Sequence, residues 1–443
     1  MLSQRLQELE TQRRPIEVGV IGAGVFGTQI IAQIGRMAGM RVAVVADLNL
    51  ERAARALVLG GADPGRIQRA TSVEAIEQAR QARLPAVTPQ AEALLASGVD
   101  VVVEATGIPE AGGLHADLAI QHHKHLVMVT VEADVLIGYS LRQRAAEAGL
   151  LYSLAYGDEP ALACELVDWA RTLGFTVIAA GKGTRFKTAF REANPDDVPR
   201  LYGFTGTDYN AQVFCSFLDG TKHSIEMAAL SNATGLPPDV RGLHFPSVDL
   251  RHIPDVLCHT RHGGILQNEG VVEAVSSIDA DDHPVERSLR GGVFAVVAAD
   301  AYVIDSLASY GEIIGMFIGQ QSRHALIYRP QHMIGHEVPL GIARLMVYGH
   351  ISGAPVTHTA EVVSLAKKPL APGTVLDGEG GFSLYGVIER ATVARAENLL
   401  PVGLSRGAVL TRAKATHDPI TLEDVELPDT HLLRLWRQQE NLK

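Results

Sequence analysis

Residues 16–47 read IEVGVIGAGVFGTQIIAQIGRMAGMRVAVVAD, an apolar strand, a glycine-rich turn, an amphipathic helix and a second strand that stops at an acid. That order commits the N-terminal part of the chain to a strand–helix–strand unit, and so to a parallel sheet with helices on its faces. Gly22 suits a tight turn off the first strand, Gly24 lets backbone approach a pyrophosphate, and Gly27 lets the helix pack on the strand. Val25 and Phe26 lie between the last two, where the helix begins and its free N–H groups and positive dipole end favour phosphate. Asp47 follows Gly27 by 20 residues, at the end of the second strand, where an acid can accept hydrogen bonds from an adenosine ribose. A lone G-x-G-x-x-G is weak, because glycine turns often serve packing alone. Strand before, helix after and acid at this distance make it a dinucleotide-binding unit.

The chain has 443 residues, too many for one ordinary core and enough for about three domains. Hydrophobic residues at 47% with 20% charged describe a globular protein, and a net charge of −11 excludes nucleic acid or an anionic membrane as the expected partner. Cys164, Cys215 and Cys258 show no C-x-x-C spacing, so core positions in a reducing cytoplasm are expected. The polar start MLSQRLQELETQRRP has no apolar core of a signal peptide, and the apolar stretch 292–299 stops at Asp300 well short of the ~20 residues of a membrane span.

After Asp47 comes a long Ala-, Glu- and Arg-rich insertion with a short strand candidate at Ala86-Val87-Thr88. Residues 99–106 (VDVVVEAT) read as a buried parallel strand, which places Ala105, Thr106 and Gly107 beside the cofactor, since ligands of such sheets bind outside the strand carboxyl ends. A helix over 110–121 and a strand over 125–131 follow, so that Glu132 falls on the same edge. His122, His123 and His125 resemble a metal cluster only in composition. They sit where a helix ends before a strand, on the side away from that edge, and no metal site is expected there.

From Leu150 the order is strand, Gly157-Asp158-Glu159-Pro160, helix (161–173) and strand (175–180). Asp158 and Glu159 serve equally well as helix caps or as a substrate ligand and a catalytic acid. Gly181-Lys182-Gly183-Thr184 follows the strand, and a lysine between glycines reads as a catalytic group with backbone open to a ligand, Thr184 beside it. Arg185, Lys187 and Arg191 then lead into the turn Asn194-Pro195-Asp196-Asp197, a lid candidate.

Further on, Asp219-Gly220-Thr221-Lys222 opens a helical pattern with Glu226 four residues past Lys222. On a surface this pair would be worth about 0.3–0.5 kcal/mol. Asn232 at the far end of the same pattern adds a polar group in apolar surroundings, as a small polar substrate requires. Lys182 and Lys222 are therefore the catalytic candidates, one for proton transfer and one as an anion anchor. Glu226, Asp219 and Glu159 orient them, and Asp158, Thr184 and Asn232 touch substrate. From about His358 short strands and turns build a small β-rich part with a helical tail.

As a set, ATGIPE (105–110), HLVMVTVEADV (125–135), GDEP (157–160), GKGT (181–184), FLDGTK (217–222), EMAALSNATGL (226–236) and AKKPLAPGTVLDGEG resemble a bacterial family of homoserine-dehydrogenase-like oxidoreductases with a C-terminal SAF (antifreeze-like) domain. The family includes the type II 1-deoxy-D-xylulose 5-phosphate reductoisomerases and reductoisomerase-like proteins. The resemblance implies an α/β protein with three parts: a Rossmann parallel sheet (1–155), an α+β substrate-binding and assembly domain (156–357) and a β-rich SAF domain with a helical tail (358–443). It further implies a cytoplasmic, homo-oligomeric NAD(P)-dependent oxidoreductase acting on a CH–OH or C=O group of a small polar substrate, with or without a phosphate. The chain departs from homoserine dehydrogenases at Val131-Glu132, where those enzymes have Asn-Lys.

Asp47, with no arginine in Leu48-Asn49-Leu50, points to NADH over NADPH. Reductoisomerisation would ask for a divalent metal. Asp158, Glu159 and Glu226 are the available carboxylates, but they lie on separate segments, so simple dehydrogenation is expected first. A non-catalytic protein that senses cofactor and holds a small ligand in its SAF part is the alternative from another class.

Overall fold

In the strand before the glycine turn, Ile16–Ile21 (β1), both valines are fully buried, because parallel strands are covered on both faces. The computed structural model describes residues 1–204 and 209–441. Around β1 lie β2 (Met40–Ala46), β3 (Gln68–Arg69), β4 (Ala86–Thr88), β5 (Val101–Glu104), β6 (His125–Met128) and β7 (Tyr152–Leu154). They form one sheet in the order β3-β4-β2-β1-β5-β6-β7, parallel throughout, as the α/β expectation requires. The order reverses between β1 and β5, so their carboxyl ends flank the crevice where such sheets bind ligands.

Two compact units emerge, each discontinuous: Met1–Ala161 with Met333–Ala354 and Thr430–Lys443, and Leu162–His332 with Pro355–Asp429. In the first unit the C-terminal helix His431–Glu440 packs against the helices Pro109–Gln121 and Val131–Glu147. Buried Gln439 donates to the Leu136 carbonyl (2.8 Å) and accepts from the Ser140 N–H (3.0 Å). The helix Ile334–Tyr348 also belongs here, its Gly335 so close to Gln29 that a Cβ would lie 2.2 Å from the Gln29 amide oxygen. Among the described residues no helix is long and apolar enough to cross a membrane.

The second unit is built on β8 (Thr176–Thr184), β9 (Val271–Ser276), β10 (Val293–Ala298), β11 (Phe317–Ile318) and β12 (Ala325–Arg329), in the order β11-β12-β10-β8-β9. β8 runs through Gly181-Lys182-Gly183-Thr184, which is therefore strand and not a loop after it. The helix Thr221–Thr234 is buried on nearly every side, polar residues included. It has no outward face because the antiparallel pair β13 (Ala360–Ala366) and β14 (Leu384–Arg390) covers it opposite β8 and β9.

Two side chains seal that cover. Thr221 Oγ1 accepts the Gly386 N–H at 2.7 Å. Asn232 Oδ1 accepts the N–H groups of Thr359 and Ala360 (2.9 Å each), and its amide donates to the Ala360 carbonyl (3.2 Å). Asn232 is thus a pin between helix and β13, and its hydrogen-bonding capacity is not available to a substrate. Asn232→Ala would strand the N–H donors of buried Ala360 and half-buried Thr359, a buried one being worth about 1–3 kcal/mol. Urea unfolding is expected to show a loss of about 3 kcal/mol, and a variant as stable as wild type would disprove the pin.

Candidate functional site

At the carboxyl edge of β1 the chain turns at Gly22, whose φ of +96° and approach to the Ala105 carbonyl (2.6 Å for a built Cβ) admit only glycine. A Cβ on Gly24, by contrast, would meet nothing within 4 Å, so that glycine leaves space on the outer side of the turn. The helix Val25–Ile34 starts there, its first N–H groups unclaimed by any side-chain cap. Val25, Phe26, Leu48 and Ile108 are exposed by 73, 44, 92 and 54%, an apolar rim at the ends of three neighbouring strands. Open backbone donors inside an apolar rim fit a dinucleotide.

Asp47 departs from its expected role. Its Oδ2 accepts the Ala23 N–H (2.7 Å), its Oδ1 accepts the Asn49 N–H (2.7 Å), and the Arg52 guanidinium spans both oxygens at 2.9 and 3.0 Å. Three donor nitrogens make four contacts to this carboxylate, so both of its oxygens are engaged within the chain. Asp47 locks the glycine turn to β2, and Arg52, five residues on, is the basic group that inspection of 48–50 alone overlooks.

Beyond β5, Ala105 donates to the Ile21 carbonyl (2.8 Å), Thr106 Oγ1 donates to Glu104 (2.6 Å) and the Gly107 N–H donates to Thr130 Oγ1 (2.9 Å). Glu104, wholly buried, also holds His115 at 3.1 Å. This acid closing an apolar VVVE run is a signal the sequence carried. β6 ends at Met128, earlier than expected, and Glu132 lies in the first turn of the helix Val131–Glu147. Two residues on, Asp134 accepts the Tyr152 hydroxyl (2.7 Å). Asp158 takes the capping role, accepting the N–H of Glu159 (3.0 Å), which opens the helix Glu159–Thr172.

In the second unit β8 and the Thr221–Thr234 helix assemble a buried polar centre. Lys182 Nζ is hydrogen-bonded and ion-paired to Glu226 Oε2, with both side chains only 2% exposed. Two residues along the strand, Thr184 Oγ1 lies 2.7 Å from His223 Nε2, while His223 Nδ1 is 3.9 Å from Glu226. Burial opposes the charge on Glu226, but Lys182, the His223 hydrogen bond and Lys222 outweigh it and hold the carboxyl well below its usual range. Lys222, half-buried in the first turn of the helix, supplies that field from four residues away. Gly181 and Gly183 serve close packing rather than ligand approach: Cβ atoms there would lie 1.6 Å from the Glu273 carbonyl and 2.1 Å from that of Leu289.

Asp219 does not orient either catalytic lysine candidate. It caps the helix through the Thr221 N–H (2.9 Å) and pairs with the buried Lys367 at 2.7 Å. Lys367 donates as well to the carbonyls of Ala193 and Gly381, both at 2.6 Å. His223 and Lys367 are the residues sequence reasoning missed. His223, three before Glu226 on one helical face, was readable from spacing, whereas Lys367 was not.

Residues 157–338 match the family model described as oxidoreductase DRL, catalytic domain. That segment, less than half of the chain, is similar to an oxidoreductase catalytic domain. It takes in Lys182, Thr184, Lys222, His223 and Glu226. No curated protein matches the chain. Among solved structures, a Klebsiella pneumoniae protein described as an oxidoreductase is 18% identical, over 77% of this chain and 88% of its own, with a TM-score of 0.39. The 1-deoxy-D-xylulose 5-phosphate reductoisomerase of Zymomonas mobilis in complex with NADPH is 16% identical, over 50% and 59%, at 0.37. An NAD-binding protein from Listeria innocua is 20% identical, over 39% and 43%, at 0.24. At these scores the likenesses say nothing about chemistry.

Asp134 offers a measurable consequence. Burial pushes its carboxyl up to about 7, against the lowering effect of the Tyr152 hydrogen bond. The folded chain therefore binds this proton more tightly than the unfolded one, and stability is fully present at acid pH and lost as pH rises toward 7. The loss should be on the order of 4 kcal/mol. Asp134→Asn is expected to abolish that slope in unfolding measured across the range, and an unchanged slope would locate the titration elsewhere.

Proposed function

We propose that the protein is a nicotinamide-dependent oxidoreductase acting on the CH–OH or C=O group of a small, polar, sugar-derived hydroxy or keto compound. The observation that carries this reading is the buried Lys182–Glu226 pair within the matched oxidoreductase segment. The glycine turn, its open donors and its apolar rim support the choice of dinucleotide, whose nicotinamide supplies or takes the hydride when bound.

Lys182 is the proton carrier for the substrate oxygen. Glu226 keeps it protonated and aimed, and the Thr184 hydroxyl with His223 lies along the same path for returning the proton. Lys222 places a second positive charge beside Glu226, which lowers the energy of negative charge gathering on that oxygen. A sensor of cofactor has no need of a buried ammonium and carboxylate, whose desolvation is expensive. In this reading the SAF-like segment covers the helix that bears Glu226, and the enzyme is a cytoplasmic homo-oligomer.

One observation favours a second reading, reductoisomerisation of 1-deoxy-D-xylulose 5-phosphate. The expectation of NADH rested on a free Asp47 carboxylate, and that carboxylate is already matched by Arg52. Nothing in the charge of this edge then repels a 2′-phosphate.

Two outcomes test these assignments. Asp47→Ala should loosen the glycine turn and weaken NADH and NADPH alike, by about tenfold. A change confined to one of them, seen in fluorescence titration, would return Asp47 to the ribose. Lys182→Met is expected to lower kcat by about 10²–10⁴ with dinucleotide affinity kept. The assay is nicotinamide absorbance with a panel of hydroxy acids, polyols and 1-deoxy-D-xylulose 5-phosphate, with and without Mg²⁺ or Mn²⁺. Full turnover by the variant would remove Lys182 from the chemistry, and metal-dependent turnover of the xylulose phosphate would select the second reading.

A further inference from the structure

Of the non-glycine residues with left-handed backbone among those described, only Leu243 and Phe245 are buried, with φ of 62° and 49°. The others are polar or charged side chains at exposed or half-buried positions. A bulky apolar residue at positive φ is strained, and such strain persists only where the surroundings impose it.

His244, between the two, is where it is imposed. Its backbone N–H donates to Glu273 Oε1 (3.0 Å), its ring Nδ1 lies 2.6 Å from Glu273 Oε2, and Nε2 is 3.9 Å from Asp239. Both carboxylates are wholly buried side chains, and the Glu273 hydrogen bond holds the His244 pKa above its ordinary value against the lowering effect of burial. A charge-assisted bond shielded from water is short and directional, so it can hold a turn that its own backbone disfavours. The ends of the turn are tied as well. The Gly242 N–H donates to the Ile388 carbonyl (2.9 Å), and the Ser276 N–H donates to the Pro246 carbonyl (2.8 Å).

What the strained turn delivers is one ring. Phe245 packs on Phe186 with centroids 4.2 Å apart, and its centroid lies 6.1 Å from that of the His223 imidazole. Phe186 and Phe217 meet the same imidazole in T-shaped contacts at 6.4 and 5.8 Å. Three phenyl rings thus border His223, which is 2% exposed and whose Nε2 is 2.7 Å from Thr184 Oγ1. Phe245 comes from neither β8 nor the helix that carries His223, so its place against the imidazole depends on the turn alone. Water kept from a proton-transferring group cannot compete for its proton.

We propose that His244 and Phe245 are positioning residues for the proton path of the proposed reaction: the Glu273–His244 clamp holds the turn in its strained pose, and that pose keeps the Phe245 ring against His223 and water away from it. The clamp acts through Phe245 and touches no reacting atom. The inference rests on the proposed function for the use made of His223.

The test is deuterium exchange at the histidine ring Cε1–H in the full chain, read by mass spectrometry of its peptides, with exposed His283 as the internal reference. His223 is expected to exchange at least about tenfold more slowly than His283, and Phe245→Ala to remove most of that protection while Phe245→Leu keeps it. His244→Ala should speed the exchange of His223 by about fivefold or more, and His244→Asn should leave it slow, since the Asn amide can donate to Glu273 in place of Nδ1. His244 is partly exposed, so its variants carry the test even where a change at Phe245 disturbs folding. An unprotected His223 in the wild type, or protection that survives His244→Ala, overturns the clamp. Protection lost in His244→Ala and equally lost in His244→Asn marks a general loosening and overturns it too. Turnover tells the two claims apart. Protection that depends on His244, with turnover indifferent to Lys182→Met, removes the oxidoreductase reading and leaves the clamp standing, and the reverse removes the clamp alone.

Discussion

An ammonium and a carboxylate buried together, Lys182 against Glu226, set the terms for the whole second unit. Taking two charges out of water costs several kcal/mol per ion, and their attraction offsets this only when the geometry is held closely and the remaining donors and acceptors are satisfied. The strand supplies one half of that geometry. β8 is paired on both sides, with β9 and β10, and lacks side chains at Gly181 and Gly183, where neighbouring backbone presses in. The helix supplies the other half and is itself immobilised by the β13–β14 pair through Thr221 and Asn232. The C-terminal strands thus act on the site without contributing a group to it.

The first unit solves a different problem with the same economy of charge. A glycine turn at a strand end has little of its own to hold its shape, since its backbone donors must stay open for a ligand. Asp47 supplies the restraint from the next strand, binding the turn at Ala23 and being neutralised by Arg52. On the other side of β1, Glu104 does the same for the β5 turn through Thr106, with His115 on the same carboxylate oxygen. An acid at the end of each flanking strand keeps the two turns in place, which explains why both carboxylates are buried though neither needs to touch a ligand.

Much of this was legible. The strand, turn, helix and second strand over 16–47, the short strand at 86–88 and the strand centred on 101–104 are local consequences of apolar runs bounded by glycine, and they formed where the residue pattern places them. Lys182 and Glu226 were singled out and form an ion pair, while Thr184 reaches His223. The same logic failed for Asp47, Asp219 and Asn232. A polar residue in an apolar setting announces that it has a partner but not which one, and theirs proved to be Arg52, Lys367 and the 359–360 backbone.

The sequence by itself therefore determined the α/β class, the parallel sheet with its glycine turn, and a short set of candidate site residues. These follow from periodicity and glycine placement, which act over a few residues. Only the tertiary structure decided that 333–354 and the helix His431–Glu440 rejoin the first unit, that the C-terminal strands cover the Thr221–Thr234 helix, and that Asn232 pins that helix to β13. Each of these is a pairing between segments far apart in the chain, set by which surfaces can bury one another, and no local pattern encodes the identity of the partner.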